Sequence, residues 1–335
     1  MRIAVDAMGG DHAPREIVRG VADGLRYLGD DDEIQLFGVE DRIRAECDDK
    51  LLSERRIVIR HCPSVIEMDD HPVEALRQKR DSSIVQMAAE AGKGNLQAII
   101  SAGNTGAFAA SCQLKIKPIK GVSRPGIAVV MPTFRGPVLI CDVGANVAPK
   151  PHHLYEYARM CAAYAETILG IPEPEIGLVS IGEEAAKGNT LVKEARQLIV
   201  ADPRLRFAGN IEGRDVFAGV CHVCICDGFV GNVVLKLTEG LAEGLFKTII
   251  KEIAEASPQL SSAFDPIVDR IWKKHDFAEY GGAPLLGINN VAIICHGRSD
   301  RRAVANAIRV AVEQIRLNLN GVIASRMVPP NEVPV

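Results

Sequence analysis

Aromatic residues are scarce in this sequence of 335 residues: Phe, Trp and Tyr together make up 4% of it, with a single tryptophan. Proteins that bind nucleic acid use aromatic side chains as stacking platforms and are usually basic. This chain has 43 acidic residues against 39 Lys and Arg, a formal net charge of −4. The composition therefore argues against a nucleic-acid-binding protein.

Long hydrophobic runs are also missing, since none approaches the roughly 20 residues that a helix needs to span a bilayer. The first residues, MRIAVDAMGGD, lack the basic, apolar and small-residue regions of a secretory signal peptide. The nine cysteines fall mostly inside apolar runs, as Cys112, Cys141 and Cys295 do, which is typical of reduced core thiols. We therefore expect a cytoplasmic protein without a disulfide framework.

Two strong phosphate-binding fingerprints are absent as well. The chain contains neither G-x-G-x-x-G, typical of dinucleotide sites, nor G-x-x-x-x-G-K-[ST], typical of P-loops. What it has instead is a series of shorter loops with Gly and Asn, each directly after an apolar run. Any phosphate chemistry must therefore use these weaker loops.

The rest of the pattern is an alternation of apolar runs and amphipathic helices. Ile3 to Ala7 is a short apolar run, and Pro14 then opens a helix with hydrophobic residues on one side. Repeated strand–loop–helix units predict an α/β fold, a doubly wound and mostly parallel sheet with helices on both faces. Ile127 to Met131 and Val138 to Cys141 flank a Gly/Pro turn, which predicts one antiparallel pair within that sheet.

The domain organisation is simple, because the sequence shows no internal repeat and no clean linker. We expect one α/β domain over residues 1–325. Residues 257–278 interrupt the alternation and predict a small helical projection. Residues 326–335, rich in proline, predict a loose C-terminal tail.

The Gly and Asn loops are the candidate binding site. Ligands of such sheets bind beyond the carboxyl ends of the strands, and each loop follows a strand, so we expect all of them to meet at one edge. Backbone N–H groups at a helix start bind anions, and glycine lets the backbone approach a ligand closely. One such loop alone is usually turn chemistry, so the prediction depends on their number. The predicted substrate- and phosphate-binding residues are Gly9, Gly10, Asp11, His12, Asn104, Thr105, Gly106, Asn146, Asn189, Asp227, Gly228 and Gly231.

Two side chains in these loops are candidates for catalysis. Lys187 stands next to Gly188 and Asn189 between a strand and a helix, where a mobile cation suits a phosphate oxygen; a solvated surface lysine is the competing interpretation. His296 follows a strand directly, where it is placed to act as a catalytic acid; a structural histidine is the alternative.

Three closely spaced cysteines raise the question of a metal site. Cys221, Cys224 and Cys226 lie in one apolar run, but no second ligand pair stands at zinc spacing elsewhere. Strand alternation places Cys224 and Cys226 on one face and Cys221 on the other. We therefore predict core thiols and no metal or organic cofactor.

The projection carries an amphipathic stripe that ends in basic residues. Such a stripe is usually core or a subunit interface, and its position outside the alternation also favours a contact with a membrane surface or an acidic partner. The predicted contact residues are Leu260, Phe264, Ile267, Val268, Arg270, Ile271, Trp272, Lys273 and Lys274. Gly240 and Gly244, in the preceding helix, predict close helix packing across a dimer axis.

Taken together, these loops resemble the acyl-ACP:phosphate acyltransferase family (PlsX type) of bacterial phospholipid synthesis. The matching stretches run in the family's order through nearly the whole chain: AVDAMGGDHAP, ISAGNTGA, DVGANV, IGEE with KGN, GNIEGRD, DGFVGNVVLK, YGGAPLLG and HGRSD. The resemblance implies a homodimer that transfers a long-chain acyl group from acyl carrier protein to orthophosphate without an organic cofactor. It also implies that the acyl phosphate passes to a membrane glycerol-3-phosphate acyltransferase, and that the protein contacts the membrane peripherally.

In that reaction phosphate is already a competent nucleophile, so positioning matters more than a strong base. Asn232 joins Lys187 and His296 as a predicted catalytic residue, since its amide can hold phosphate. The backbone N–H groups of Gly9 and Gly10, or of Gly231 and Asn232, are candidate donors to the tetrahedral oxyanion. Arg270, Lys273 and Lys274 are candidates for docking the acidic carrier protein.

Three alternatives remain open from the sequence. One is a phosphate acyltransferase that uses acyl-coenzyme A, and another is a regulator that binds acyl groups or carrier protein without turnover. The third is a decarboxylating hydroxy-acid dehydrogenase, which shares the architecture and would use acidic metal ligands such as Asp11, Asp142 and Asp227.

Overall fold

The computed structural model describes residues 1–133, 135–256, 264, 266–268, 270–271 and 277–328. Eleven strands form one sheet in the order β3-β2-β1-β4-β11-β10-β5-β6-β9-β7-β8. The strands are β1 Arg2–Asp6, β2 Glu33–Gly38, β3 Ile57–His61, β4 Ala98–Ser101, β5 Gly126–Thr133, β6 Gly136–Cys141, β7 Glu175–Val179, β8 Arg206–Ile211, β9 Val223–Ile225, β10 Ala283–Leu286 and β11 Val291–Ile294.

Helices cover both faces of the sheet, as predicted. On one face the core lies beneath α5, α6, α9 and the first turns of α10. On the other it lies beneath α1 and α11 over one half, and beneath α7, α8 and α12 over the other. The helices are α1 Arg15–Gly24, α2 Glu40–Arg44, α3 Asp49–Leu52, α4 Pro72–Gln78, α5 Ser83–Gly92, α6 Thr105–Lys115, α7 Pro151–Thr167, α8 Thr190–Val200, α9 Gly213–Ala218, α10 Gly228–Ala256, α11 Arg301–Arg316 and α12 Leu319–Met327, with short 3-10 turns at Leu25–Tyr27 and Phe277–Tyr280.

The central strands β4 and β11 are apolar except for Ser101, because both of their faces are covered. Every residue of β4 and of β11 is buried. β4 pairs in parallel with β1 on one side and with β11 on the other. This is the parallel part that the alternating sequence pattern predicted.

The strand directions divide the sheet into two halves. β10 pairs antiparallel to both β11 and β5, and β5 pairs antiparallel to β6, as the Gly/Pro turn predicted. β9, β7 and β8 then follow β6 in parallel. The strands β6 to β9 therefore run opposite to β1–β4 and β11. The expectation that all Gly and Asn loops share one edge is wrong: they are divided between two opposite edges.

Helix boundaries differ from the sequence pattern at three places. The loose tail predicted from residue 326 is wrong at its start, because α12 runs to Met327, which is buried; residues 329–335 lie outside the described residues. The pattern predicts one helix from Arg301 to Asn320, but the chain breaks at Asn318, which adopts a left-handed conformation (φ 49°) that asparagine tolerates. The pattern also predicts a long helix from Asn232. This helix, α10, begins earlier, at Gly228, because Asp227 caps its first turn.

The distal part of α10 extends away from the sheet. From Gly240 to the end of the helix nearly every residue is half-buried or exposed, and an added Cβ at Gly240 or Gly244 meets no atom of the described chain within 4 Å. Exposed apolar side chains recur at every fourth position: Phe229, Val233, Leu237, Leu241, Leu245 and Ile249. None of the helices in the described ranges is long and apolar enough to cross a membrane.

The predicted projection is described in part. Residues 264, 266–268, 270 and 271 are helical; Phe264, Ile267, Arg270 and Ile271 are exposed and Val268 is half-buried. Leu260, Trp272, Lys273 and Lys274 lie outside the described residues.

Candidate active site

A cavity of about 810 Å³ opens where the two halves of the sheet meet, under the first turns of α10. The cavity arises because β10 is short, with four residues. The first two, Ala283 and Pro284, pair with β11, and the last two, Leu285 and Leu286, pair with β5. Toward the carboxyl ends of β5 and β11, no ladder in the described sheet joins the two strands, and this gap is part of the cavity.

The wall of the cavity has a polar part and an apolar part. Polar side chains come from α10 and from the segments after β1, β4 and β11: Asp11, Thr105, Asn232, Lys236, Glu239, His296, Arg298, Ser299, Asp300 and Arg302. Apolar and aromatic side chains form the remainder: Met68, Ile127, Val129, Val130, Val143, Leu235, Tyr280, Ala283, Ile294, Cys295 and Ala303. A site of this volume and composition is typical of one that buries an apolar ligand and fixes it by a few polar groups.

His296 lies at the polar end, two residues beyond β11. Its Nδ1 accepts a hydrogen bond from the backbone N–H of Arg298 at 3.1 Å, so the neutral ring carries its proton on Nε2. Burial lowers the pKa of His296, and the positive charge of Lys236 lowers it further. The ring is therefore neutral at pH 7 and retains one N–H that can donate.

Among the described residues, three cations line the cavity, and sequence reasoning missed all of them: Lys236, Arg298 and Arg302. Arg302 pairs with Glu279, whereas the other two pair with carboxylates on α10. Lys236 Nζ lies 2.8 Å from Oε2 of Glu239, and Arg298 Nη1 lies 3.9 Å from Oε2 of Glu243. Lys236 stands four residues after Asn232, which places both side chains on the same side of α10. That spacing was the available signal. Lys236 and Arg298 therefore each have a carboxylate partner on α10, and an incoming anion would compete with that carboxylate.

Asp6 organises the loops at the edge formed by β1 and β4. It is 1% exposed, accepts the Ser101 hydroxyl at 2.7 Å and accepts the N–H of Met8 at 3.1 Å. Burial raises its pKa, and these donors, including the N–H of Gly9, oppose that rise. A Cβ on Gly9 would lie 2.5 Å from the backbone N of Gly103, so only glycine lets the two loops approach this closely.

The amide of Asn104 is fully used within the protein. Its Oδ1 caps α6 by accepting the N–H of Ala107 at 3.0 Å, and its Nδ2 donates to the carbonyls of Glu67, Met68 and Asp70 at 3.0–3.2 Å. Asn104 is therefore an organising residue, and the neighbouring Thr105 is the one that lines the cavity.

Asp142 plays the corresponding role at the opposite edge. Its side chain is completely buried; Oδ1 accepts the N–H groups of Ile127, Gly144 and Ala145, and Oδ2 accepts that of Asn146. Burial raises the pKa of Asp142 while the four backbone donors act in the opposite direction. Asn146 in turn donates to the Pro125 carbonyl and to the Tyr157 hydroxyl, both at 2.8 Å.

The N-terminus of α10 is satisfied by the protein itself. Asp227 Oδ1 accepts the N–H groups of Phe229 and Val230 at 3.0 and 2.9 Å, and its carbonyl accepts that of Gly231. The N–H of Gly228 donates to the Asn146 carbonyl at 2.8 Å. These backbone groups are therefore not free to cradle an anion as predicted, and Asn232 contributes its exposed side chain to the cavity instead.

The remaining predicted residues lie outside the cavity wall. Lys187 is exposed in the loop after β7, and Asn189 caps α8 by accepting the N–H of Val192 at 3.0 Å. His12 lines a second, smaller groove, which shares Arg298 and Asp300 with the cavity. Gly106 packs against Pro72, and Gly10 approaches the carbonyl of Gly297, which also accepts the N–H of Asp11 at 2.8 Å.

Cys221, Cys224 and Cys226 are core residues, as predicted, but the prediction that Cys221 faces the opposite side is wrong. Cys221 precedes β9 rather than belonging to it, so strand alternation does not apply to it, and its Sγ lies 3.5 Å from that of Cys224. All three cysteines face the same core cluster. Within the described ranges, no group of three or more His, Cys, Asp or Glu side chains is placed to hold a metal.

The dehydrogenase interpretation needs Asp11, Asp142 and Asp227 as free ligands. Both oxygens of Asp142 are occupied by N–H donors, and Asp227 caps α10. These two carboxylates therefore serve the backbone, which weakens that alternative.

The fold is the α/β architecture that solved phosphotransacylases also have. A phosphotransacetylase from Streptococcus pyogenes superposes with a TM-score of 0.61 at 17% identity, over 94% of each chain. A 4-hydroxythreonine-4-phosphate dehydrogenase from Klebsiella pneumoniae shares the fold less closely, with a TM-score of 0.52 at 13% identity over 93% of this chain and 99% of that one.

Sequence comparison is more specific. Residues 1–321 match the family described as "Fatty acid synthesis protein", and the chain belongs to that family. The phosphate acyltransferase of Desulfitobacterium hafniense is 48% identical over 93% of each chain, and that of Geobacter sulfurreducens is 44% identical over 98% of this chain and 94% of its own. The predictions of this family and of an acyltransferase are confirmed.

Proposed function

We propose that this enzyme forms acyl phosphate from orthophosphate and a long-chain acyl group carried as a thioester on acyl carrier protein. The carrying observation is one cavity with cations, an amide and a neutral histidine at one end and apolar walls beyond. Family membership supports the phosphate acyltransferase chemistry, and the long apolar wall supports a long acyl chain.

In the proposed reaction a phosphate oxygen attacks the thioester carbonyl carbon, and the resulting tetrahedral intermediate breaks its C–S bond. Lys236 and Arg298 hold the phosphate dianion, which gives Lys236 the role that the sequence predicted for Lys187. The amide of Asn232 donates to the oxyanion. Nε2–H of His296 donates a hydrogen bond to the departing sulfur and keeps its proton. The thiolate takes the proton that the phosphate dianion, HPO₄²⁻, brings to the reaction, and this demand is modest because a thiol has a pKa of about 8.5.

The acyl donor is the first test. We expect hydroxylamine-trapped acyl phosphate to form from hexadecanoyl carrier protein and orthophosphate with a much higher kcat/KM than from hexadecanoyl-coenzyme A. An enzyme active with coenzyme A thioesters alone would refute the carrier-protein donor. Binding of acyl carrier protein without any turnover would support the regulator instead.

Acyl phosphate is a mixed anhydride and thus an activated acyl donor. We propose that a membrane glycerol-3-phosphate acyltransferase consumes it, on the way to phosphatidic acid. This places the enzyme in the cytoplasm with peripheral membrane contact through the exposed apolar residues Phe264, Ile267 and Ile271. Co-sedimentation with anionic vesicles tests the contact: a serine variant at these three positions that binds vesicles as well as the wild type would refute it.

The apolar stripe on α10 supports a homodimer. Leu237, Leu241 and Leu245 are each more than half exposed, and Gly240 and Gly244 leave room for close approach of a second helix. We propose that two copies of the chain pack along this helix. Light scattering tests the proposal, because a particle mass near the 36.1 kDa of one chain would contradict it.

A further inference from the structure

The cavity is lined by residues that point to opposite faces of the sheet. In β5, Ile127 and Val129 pack in the core on the α10 face, whereas Val130 packs in the core under α7. Both Val129 and Val130 nevertheless line the cavity. The same is true beside β11, where Ile294 and Cys295 belong to cores on opposite faces and line the same space.

This geometry means that the cavity passes through the sheet rather than resting on it. The passage lies between β5 and β11, at the level where β10 no longer joins them. Its polar end, with Lys236 and His296, is on the α10 side. Its other end is bounded by Tyr280, a half-buried side chain that packs against the core under α7, and by Arg302, which pairs with Glu279.

We propose that this gap between β5 and β11 holds the acyl chain of the substrate, with the thioester beside Lys236 and His296 and the methyl end directed to Tyr280. This inference rests on the proposed function and adds where the chain lies and what limits its length. Each methylene that enters such an apolar passage raises affinity about fourfold. Side chains that narrow or close the passage therefore set the preferred acyl length.

The first test changes the size of the passage in both directions. Val129→Phe fills the gap at a half-buried position, and Tyr280→Ala opens its far end. Matched controls are Val200→Phe, at an exposed valine in the last turn of α8, and Tyr27→Ala, at a half-buried tyrosine that does not line the cavity. The measurement is kcat/KM for acyl donors of eight to eighteen carbons.

We expect Val129→Phe to lower the ratio of kcat/KM for sixteen-carbon over eight-carbon donors by about tenfold or more, because it excludes several methylenes. Tyr280→Ala should shift the optimum to longer chains, and the controls should keep the wild-type ratio. Active variants with an unchanged ratio would place the chain elsewhere and overturn the proposal.

A second measurement uses the wild-type protein and does not depend on whether a variant folds. A hexadecanoyl donor with a diazirine at its methyl end is photolysed in the presence of the enzyme, and the labelled peptides are identified by mass spectrometry. Labels near Val130, Tyr280 or Cys295 support the passage, and labels confined to Leu237–Ile249 overturn it. Failure of the proposed function is distinct: the wild type would form no acyl phosphate from a donor of any length.

Discussion

Replacing Lys236 by methionine should lower kcat/KM for orthophosphate by about two orders of magnitude. A preorganised charged donor directed at a reacting phosphate or oxyanion supplies a rate factor of about 10²–10³ in other enzymes. Methionine keeps the length and the apolar stem of lysine and removes the charge. The measurement is the rate of acyl-phosphate formation as a function of phosphate concentration.

Two further lysines serve as comparisons for this variant. Lys251→Met removes a lysine from the same helix that pairs with Glu255 and does not line the cavity, so its rate should match the wild type. Lys187→Met tests the cation that the sequence pattern favoured. Loss of activity at Lys187 with full activity at Lys236 would assign phosphate binding to the loop after β7 and refute the present site.

Replacing Gly231 by alanine should destabilise the protein by about 3 kcal/mol, at the upper end of what an added methyl group typically costs in a tightly packed region. A Cβ at this position would lie 1.9 Å from the backbone carbonyl oxygen of Asp142, so the first turn of α10 must move away from the loop after β6. Urea denaturation measures the free energy of unfolding.

The matched control is Gly213→Ala, at the first residue of α9. An added Cβ there meets nothing within 4 Å, so its free energy of unfolding should stay within about 1 kcal/mol of the wild type, in the direction that helix propensity favours. Equal stability of the two variants would mean that α10 does not depend on its contact with Asp142. Because Asn232 follows directly, Gly231→Ala should also lower kcat.

Much of the fold follows from local sequence. The apolar runs at β4 and β11 are buried on both faces and read as strands, and the Gly/Pro turn after β5 identified the antiparallel pair with β6. The direction of β6 to β9 relative to β1 could not be predicted in this way. It is set by β10, which lies next to β11 in the sequence but far from β5, the other strand that it pairs with.

The lining of the candidate cavity was predictable where a loop residue contributes its side chain, as for His296, Thr105 and Asn232. It was not predictable where the protein uses the loop for itself, because Asn104 and Asp227 cap helices with the same atoms that a ligand would need. Lys236 was missed for a related reason. Glu239 follows it by three residues, and a Lys and Glu at this spacing are typical of an ordinary ion pair on the surface of a helix.

The pairing of β4 with β11 also has a consequence for synthesis of the chain. Ala98 of β4 pairs with Val291 of β11, and the pairs of β6, β9, β7 and β8 all lie between these residues in sequence. The half that contains β6 can therefore assemble while the chain is still being made, whereas β4 keeps an open, apolar edge until β11 has emerged. A chain truncated before β11 exposes that edge. We therefore expect such a fragment to aggregate more than the full chain, and the difference measures how far the first half depends on β11.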